Sequence, residues 1–183
     1  MEKTLAQYDT AISKCRSIFA KKTVDYGTAW RILRPASLTD QIFIKARRIR
    51  SLEEGKEQMV DDNIESEYIG IVNYCVLAIL QLQLPASAPL ELKADQVLGE
   101  YDREIESTRS LMIAKNSDYG EVWRDMRISS LTDLILMKLL RVKQIEDNQG
   151  QTLISEGLDA NYRDMINYAI FALIKMAEAE ANS

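Results

Sequence analysis

KNSDYGEVWRDMRISSLTD, residues 115–133, repeats a phrase that occurs 93 positions earlier as KTVDYGTAWRILRPASLTD, residues 22–40. Two copies of a core need apolar residues at matching places, but they do not need the same charged ones. Working outward, residues 8–53 and 101–146 share 20 identities in 46 positions. A one-residue insertion near Asn148 then shifts the register, and NIESEYIGIVNYCVLAIL (63–80) aligns with GLDANYRDMINYAIFALI (157–174). Self-similarity of this length marks a unit duplicated whole. The boundary falls at LPASAPLE, 84–91, a proline-containing stretch that separates a first repeat (1–84) from a second (91–183), with 85–90 as linker.

Each repeat reads as helices. Leu5, Tyr8, Ile12, Cys15 and Phe19 recur at three- and four-residue spacing, as do Tyr101, Ile105, Thr108 and Met112, which is one apolar stripe per helix. Gly27 and Gly120 end these helices as left-handed C′ residues, and a short Trp-bearing segment follows each. Ser37-x-x-Asp40 and Ser130-x-x-Asp133 fit a capping box with serine at the N-cap. The helices they open run to about Glu53 and Glu146, where EEGK and EDNQGQ stop them. A last long helix starts near Asp62 or Glu156. No segment alternates with β-branched enrichment, so the fold class is all-α. Three helices of about 16–20 residues cannot hide their apolar faces alone, so two repeats of three to four helices should pack as an intramolecular pseudo-dimer, last helix against last helix.

The bulk numbers narrow the function classes. At 183 residues, 46% hydrophobic and 28% charged, the chain is globular and long enough for a sizeable core. No run of about 18 apolar residues suggests a membrane span. The opening MEKTLAQYDT lacks a signal-peptide pattern, so a cytoplasmic location is expected. A net charge of −5 argues against general nucleic-acid binding, although a local basic stripe could still hold phosphates. Histidine is absent, which removes His-based triads and His-ligated zinc. Cys15 and Cys75 align with Thr108 and Ala169, so they read as buried thiols and not as a pair.

The repeated polar residues are the candidates. Lys45 and Arg48, matched by Lys138 and Arg141, lie three apart on one helix face and can grip phosphate oxygens; a solvated face is the plain alternative. Asp25 and Asp118 sit near helix C-termini, against the macrodipole, and so need Lys22 or Lys115 as partner, or a metal. Asp62-x-x-Glu65 and Glu156-x-x-Asp159 could hold Mg²⁺ through oxygen ligands, or could simply favour a helix N-terminus. Asn73-Tyr74 and Asn167-Tyr168 fall mid-helix; the amides either bond between helices at the pseudo-twofold or read a base, with equal weight. Trp30 and Trp123, three residues after a helix-ending glycine, read as packing anchors before ligand platforms.

The order Lys-x-x-Asp-Tyr-Gly-x-x-Trp, Asp-x-x-x-x-Lys-x-x-Arg, Asp-x-x-Asn-Tyr resembles the small helical family called nucleotide-modification-associated domain 1, over nearly the whole chain. The resemblance implies association with nucleotide or DNA-base modification. A weaker similarity is to MazG-like all-α nucleoside triphosphate pyrophosphohydrolases, which build Mg²⁺ sites from paired helical carboxylates. The comparable register here reads Glu67-x-x-Gly70 and Asn161-x-x-Asp164, one carboxylate each. Because Gly70 stands where the family pattern has aspartate, the second repeat is expected to be the better preserved.

Two readings follow. In the first, a Mg²⁺-dependent phosphohydrolase takes metal oxygens from Asp118, Glu156, Asp159 and Asp164. Lys138 and Arg141 hold the phosphates, with Lys115, Lys45 and Arg48 as further cations, while Asn167, Tyr168, Asn73, Tyr74, Tyr119 and Trp123 form the base-side or core polar set. In the second, the chain is a non-catalytic nucleotide-binding or scaffold module. The expected partner is a nucleotide or other phosphorylated small molecule, or a second copy of the chain, and neither general nucleic acid nor membrane.

Overall fold

The computed structural model describes residues 1–57 and 63–183. The first repeat contributes α1 (Glu2–Tyr26), a 3-10 turn (Ala29–Ile32), α2 (Pro35–Glu53) and α3 (Ile64–Gln83). The second contributes α4 (Ala94–Tyr119), a 3-10 turn (Val122–Asp125), α5 (Ile128–Asp147) and α6 (Leu158–Ala181) in the same order. No strand forms among the described residues.

The central layer is α3 against α6, the two most apolar helices; α2 covers α3, α5 covers α6, and α2 touches α5. On the far side α1 and α4 each lie across both central helices. On α1 the stripe residues Tyr8, Cys15 and Phe19 are buried together with Ala11, while Leu5 and Ile12 are half-buried against the core. On α4 Tyr101, Ile105, Thr108 and Met112 are buried. Both cysteines are free and buried. Burial pushes the Cys15 thiol up to about 12 and the Cys75 thiol up as well.

The central ties across the pseudo-twofold come in matched pairs, as in an isologous interface. Arg16 grips Asp102 at 2.6 and 2.8 Å, and Arg109 grips Asp9 at 2.7 and 3.0 Å. The Tyr8 hydroxyl donates to Asn167 Oδ1 at 2.8 Å, and Tyr101 donates to Asn73 Oδ1 at 2.8 Å. Thr39 donates to Glu146 at 2.7 Å and shares a 2.7 Å bond with Tyr162. Its counterpart Thr132 donates to Glu53 at 2.8 Å and shares a 2.7 Å bond with Tyr68. The exposed Arg–Asp pairs add little stability each. The buried Tyr–Asn and Tyr–Thr bonds weigh more, because breaking one strands a desolvated partner.

Two expectations change. The capping boxes do not form: α2 starts at Pro35 and α5 at Ile128, with Arg34 and Arg127 as extended N-cap residues and no side-chain cap bond. In α2 proline at the first helical position presets φ and favours an extended Arg34; α5 begins at the same register with Ile128 and an equally extended Arg127, so both helices start two residues before the serine. Asp40 and Asp133 reach across the pseudo-twofold instead, to Lys143 at 3.1 Å and Arg50 at 3.5 Å. Among the described residues the one side-chain cap on an α-helix is Asn63, which accepts from the Ser66 amide at 2.8 Å; Asp62 lies outside the described residues. Finally, Gly27 (φ 58°, ψ −135°) and Gly120 (φ 73°, ψ −178°) have positive φ but not left-handed helical ψ. That region belongs almost to glycine alone, and it turns the chain out of the helix into the Trp-bearing turn.

Half of the repeated phrase is thereby explained. Leu38 and Leu131 enter the core, Thr39 and Thr132 bond across the pseudo-twofold, and Asp40 and Asp133 pair across it.

Candidate functional site

The other half of the phrase surrounds a cavity of about 490 Å³ in the first repeat. The end of α1 supplies Phe19, Lys22, Tyr26 and Gly27, and the 3-10 turn supplies Trp30. Lys45 enters from α2; Glu67, Gly70, Asn73, Tyr74 and Leu77 enter from α3. Aromatic rings and aliphatic side chains form most of the wall, and the two lysines and Glu67 give it a charged side. Trp30 is half-buried, and its indole N–H is buried without a hydrogen-bond partner.

Charge is arranged differently in the two repeats. In the first, Glu67 is buried and bonded by Arg48 and by Lys45 Nζ at 3.2 Å. Lys45 crosses Gly70 to get there: a Cβ added at Gly70 would lie 2.6 Å from Lys45 Cε. Lys22 is exposed and makes no ion pair among the described residues. In the second repeat, Asn161 replaces Glu67 and Asp164 replaces Gly70. The Asp164 carboxylate, 4% exposed, accepts from Lys115 at 2.5 Å on one oxygen and from Lys138 at 2.7 Å on the other. Burial works to lower the Lys115 pKa, but the bond and charge of Asp164 outweigh it and leave that pKa raised. The carboxylate has moved one helical turn between the repeats.

The aromatic wall differs too. Trp123 is 4% exposed and stacked on Phe171, with ring centroids 4.2 Å apart and planes within 4°. Leu77 stands at the place of Phe171 in the first repeat, and there Trp30 has no such partner and borders the cavity. Trp123 is thus the anchor that was expected, while Trp30 is also a cavity wall.

The remaining candidates sort as follows. Asn73 donates to the Cys15 carbonyl at 3.0 Å, Asn167 donates to that of Thr108 at 3.4 Å, and both accept from a tyrosine of the other repeat. These amides are inter-helix ties. Tyr74 and Tyr168 are half-buried beside Lys45 and the Asp164 cluster, and burial raises the Tyr168 pKa. Tyr119 is exposed, as is its counterpart Tyr26. Lys138 turns inward to Asp164 while Arg141 stays exposed, so the pair does not close on an open phosphate site.

Asp25 and Asp118 are exposed and lack the expected lysine partners, since Lys115 is committed to Asp164. Asp159 pairs with Arg163 at 3.0 Å in the first turn of α6, and Glu65 pairs with Lys14 at 2.6 Å in the first turn of α3. Glu156 lies exposed before α6. Asp118, Glu156, Asp159 and Asp164 are therefore not gathered. Among the described residues no group of three or more His, Cys, Asp or Glu side chains is placed to hold a metal.

Sequence reasoning missed Lys22 and Phe19 as cavity residues and Glu67 as the partner of Arg48. The available signals were the retention of Lys22 with Lys115 and the Leu77/Phe171 difference. It also missed the work of the retained Arg31 and Arg124. Arg31 ties Gln81 and the linker carbonyls of Ala88 and Pro89, whereas Arg124 ties Thr4, Gln7 and Glu178.

Two segments, 22–82 and 115–176, match the family model described as nucleotide modification associated domain 1. No curated protein and no solved structure matches the chain, so the similarity to MazG-like enzymes gains no support.

Proposed function

Because the chain belongs to the nucleotide modification associated domain 1 family, we propose that it binds a nucleotide in the cavity of its first repeat, and that its second repeat serves as structural counterpart. The observation that carries this reading is the lining itself. Residues kept in both repeats (Lys22, Tyr26, Gly27, Trp30, Lys45 and Tyr74) converge on one cavity from four successive elements. Its volume falls within the range of ligand pockets, about 300–1,000 Å³. Phe19, Tyr26, Trp30 and Tyr74 offer faces for a base, whose stacking on an aromatic side chain contributes about 1–3 kcal/mol per base. Lys22 and Lys45 offer charge for phosphate.

The reading assigns binding without a hydrolytic step, since the acidic residues once grouped as metal ligands are engaged separately or stand apart. Mg²⁺ enters it as companion of the ligand's phosphates. Calorimetric titration of the common nucleotides, with and without Mg²⁺, tests it. The expected result is one ligand per chain, with affinity reduced at least tenfold by Tyr74→Ala or Trp30→Ala. Saturable binding that survives both substitutions, or no binding at all, would overturn it.

A further inference from the structure

Matched residue by residue, the two repeats indicate where the ligand's charge belongs. Lys115 and Lys138 of the second repeat are the counterparts of Lys22 and Lys45. There, both ammonium groups converge on a single buried carboxylate, one on each oxygen of Asp164. The first repeat retains both lysines and has no side chain at the matching position, Gly70. Lys22 is left without an ion pair among the described residues, and Lys45 bends across the glycine to a 3.2 Å contact with Glu67. Lys22, Lys45 and Gly70 all border the cavity. The second repeat thus carries between its two lysines an anion that the first repeat lacks at that position, its own carboxylate being Glu67 one turn earlier.

We infer that the cavity takes a nucleoside monophosphate, with its phosphate over Gly70 between Lys22 and Lys45, where the second repeat keeps the Asp164 carboxylate. This rests on the nucleotide reading of the cavity and adds to it the number of phosphates and their place. A phosphate there accepts from both lysines, and Lys45 re-aims from Glu67 as it binds. Among the described residues Lys22 and Lys45 are the lysines that border the cavity, and Glu67 borders it from one helical turn before Gly70. A second or third phosphate would meet that carboxylate, which Arg48 already bonds, and the described wall offers no third lysine for it. Gly70 sets the specificity, because any side chain there displaces Lys45. An acidic one would copy the second repeat and occupy the phosphate's place.

The test is calorimetric titration of the full chain, at fixed ionic strength, with each common nucleoside, its 5′-monophosphate and its 5′-triphosphate. Wild type is compared with Gly70→Asp and Lys22→Ala. The expected result is that one monophosphate binds at least tenfold more tightly than its nucleoside, and that its triphosphate binds no more tightly. Gly70→Asp should abolish that tenfold advantage and leave nucleoside affinity within about twofold. Lys22→Ala alters an exposed side chain, so it carries the same expectation should Gly70→Asp fail to fold. A monophosphate no tighter than its nucleoside, a triphosphate tenfold tighter, or an advantage that survives Lys22→Ala overturns the phosphate placement and leaves the cavity reading standing. Failure of every nucleoside and nucleotide to bind overturns both.

Discussion

At position 70 the first repeat has glycine, and Lys45 lies across it to reach Glu67. At the matching position the second repeat has Asp164, held between two lysines. Seven positions further along the same two helices, the first has Leu77 beside a cavity and the second has Phe171 stacked under Trp123. One repeat has put side chains into its centre, and the other has kept space there. Duplication doubles the interface contacts by symmetry, but it also frees one copy to specialise. The Arg–Asp, Tyr–Asn and Tyr–Thr ties that join the repeats have stayed matched, while Arg31, Arg124 and the two centres have diverged.

The largest expected effect tests that divergence through the tryptophans. Trp123→Ala removes a buried, stacked indole and should cost about 3–5 kcal/mol of unfolding free energy. Trp30→Ala, at a half-buried cavity wall, should cost clearly less. Denaturant unfolding of both variants decides the point, and equal losses would mean that the two centres are packed alike.

Next in size is the charge cluster. Asp164→Ala leaves Lys138 buried without its partner, a defect of about 3–5 kcal/mol. Glu67→Ala should cost less, because the Lys45 and Arg48 side chains keep 26% and 25% of their surface in solvent. A larger loss from Glu67→Ala would reverse the assignment of open and closed repeats.

The outer shell should behave oppositely. Tyr8→Phe and Tyr101→Phe each strand an asparagine oxygen, for about 1–3 kcal/mol. The two losses should agree within roughly 0.5 kcal/mol. Clearly unequal losses would break the matched interface.

Much of this architecture was legible beforehand. Tyr8, Ile12, Cys15 and Phe19 announce a helix by spacing alone, and the offset of 93 announces its twin. What was not legible depended on where neighbours went. Ser37 and Ser130 looked like caps, but both helices begin two residues earlier, at Pro35 and Ile128. Lys115 stands three residues from Asp118 in the chain but bonds Asp164 on another helix, and no local pattern encodes that choice. Gly70 read as a lost ligand because a sequence displays missing atoms and not the neighbour, here Lys45, that lies across their place. Glu104, buried and held by Arg163 at 2.7 and 3.1 Å, gave no signal at all.

The smallest effect is on pH dependence, and again it should be shared by both repeats. Glu53 and Glu146 are pushed above the usual carboxylate range, chiefly by burial. A raised folded-state pKa gives stability that is complete below the ordinary value of 4.5 and lost as pH rises through the folded value. Glu178 runs the other way. Its bond to Lys3 holds it down at about 2, so its contribution is present above 4.5 and lost as pH falls toward 2. Unfolding free energy measured from pH 3 to 8 should therefore rise from the acid end, then be drawn down by the glutamate pair. The double variant Glu53→Gln, Glu146→Gln should flatten that second limb, and an unchanged limb would remove these groups from the account.

The chain has two tryptophans, one per repeat, and both indole N–H groups are buried without a hydrogen-bond partner. A proton–nitrogen correlation spectrum reports each as a separate signal, assigned through Trp30→Phe. On titration with a nucleoside monophosphate the Trp30 signal should shift to saturation while the Trp123 signal stays in place. Movement of Trp123 with Trp30 unchanged would put the site in the wrong repeat and contradict the account.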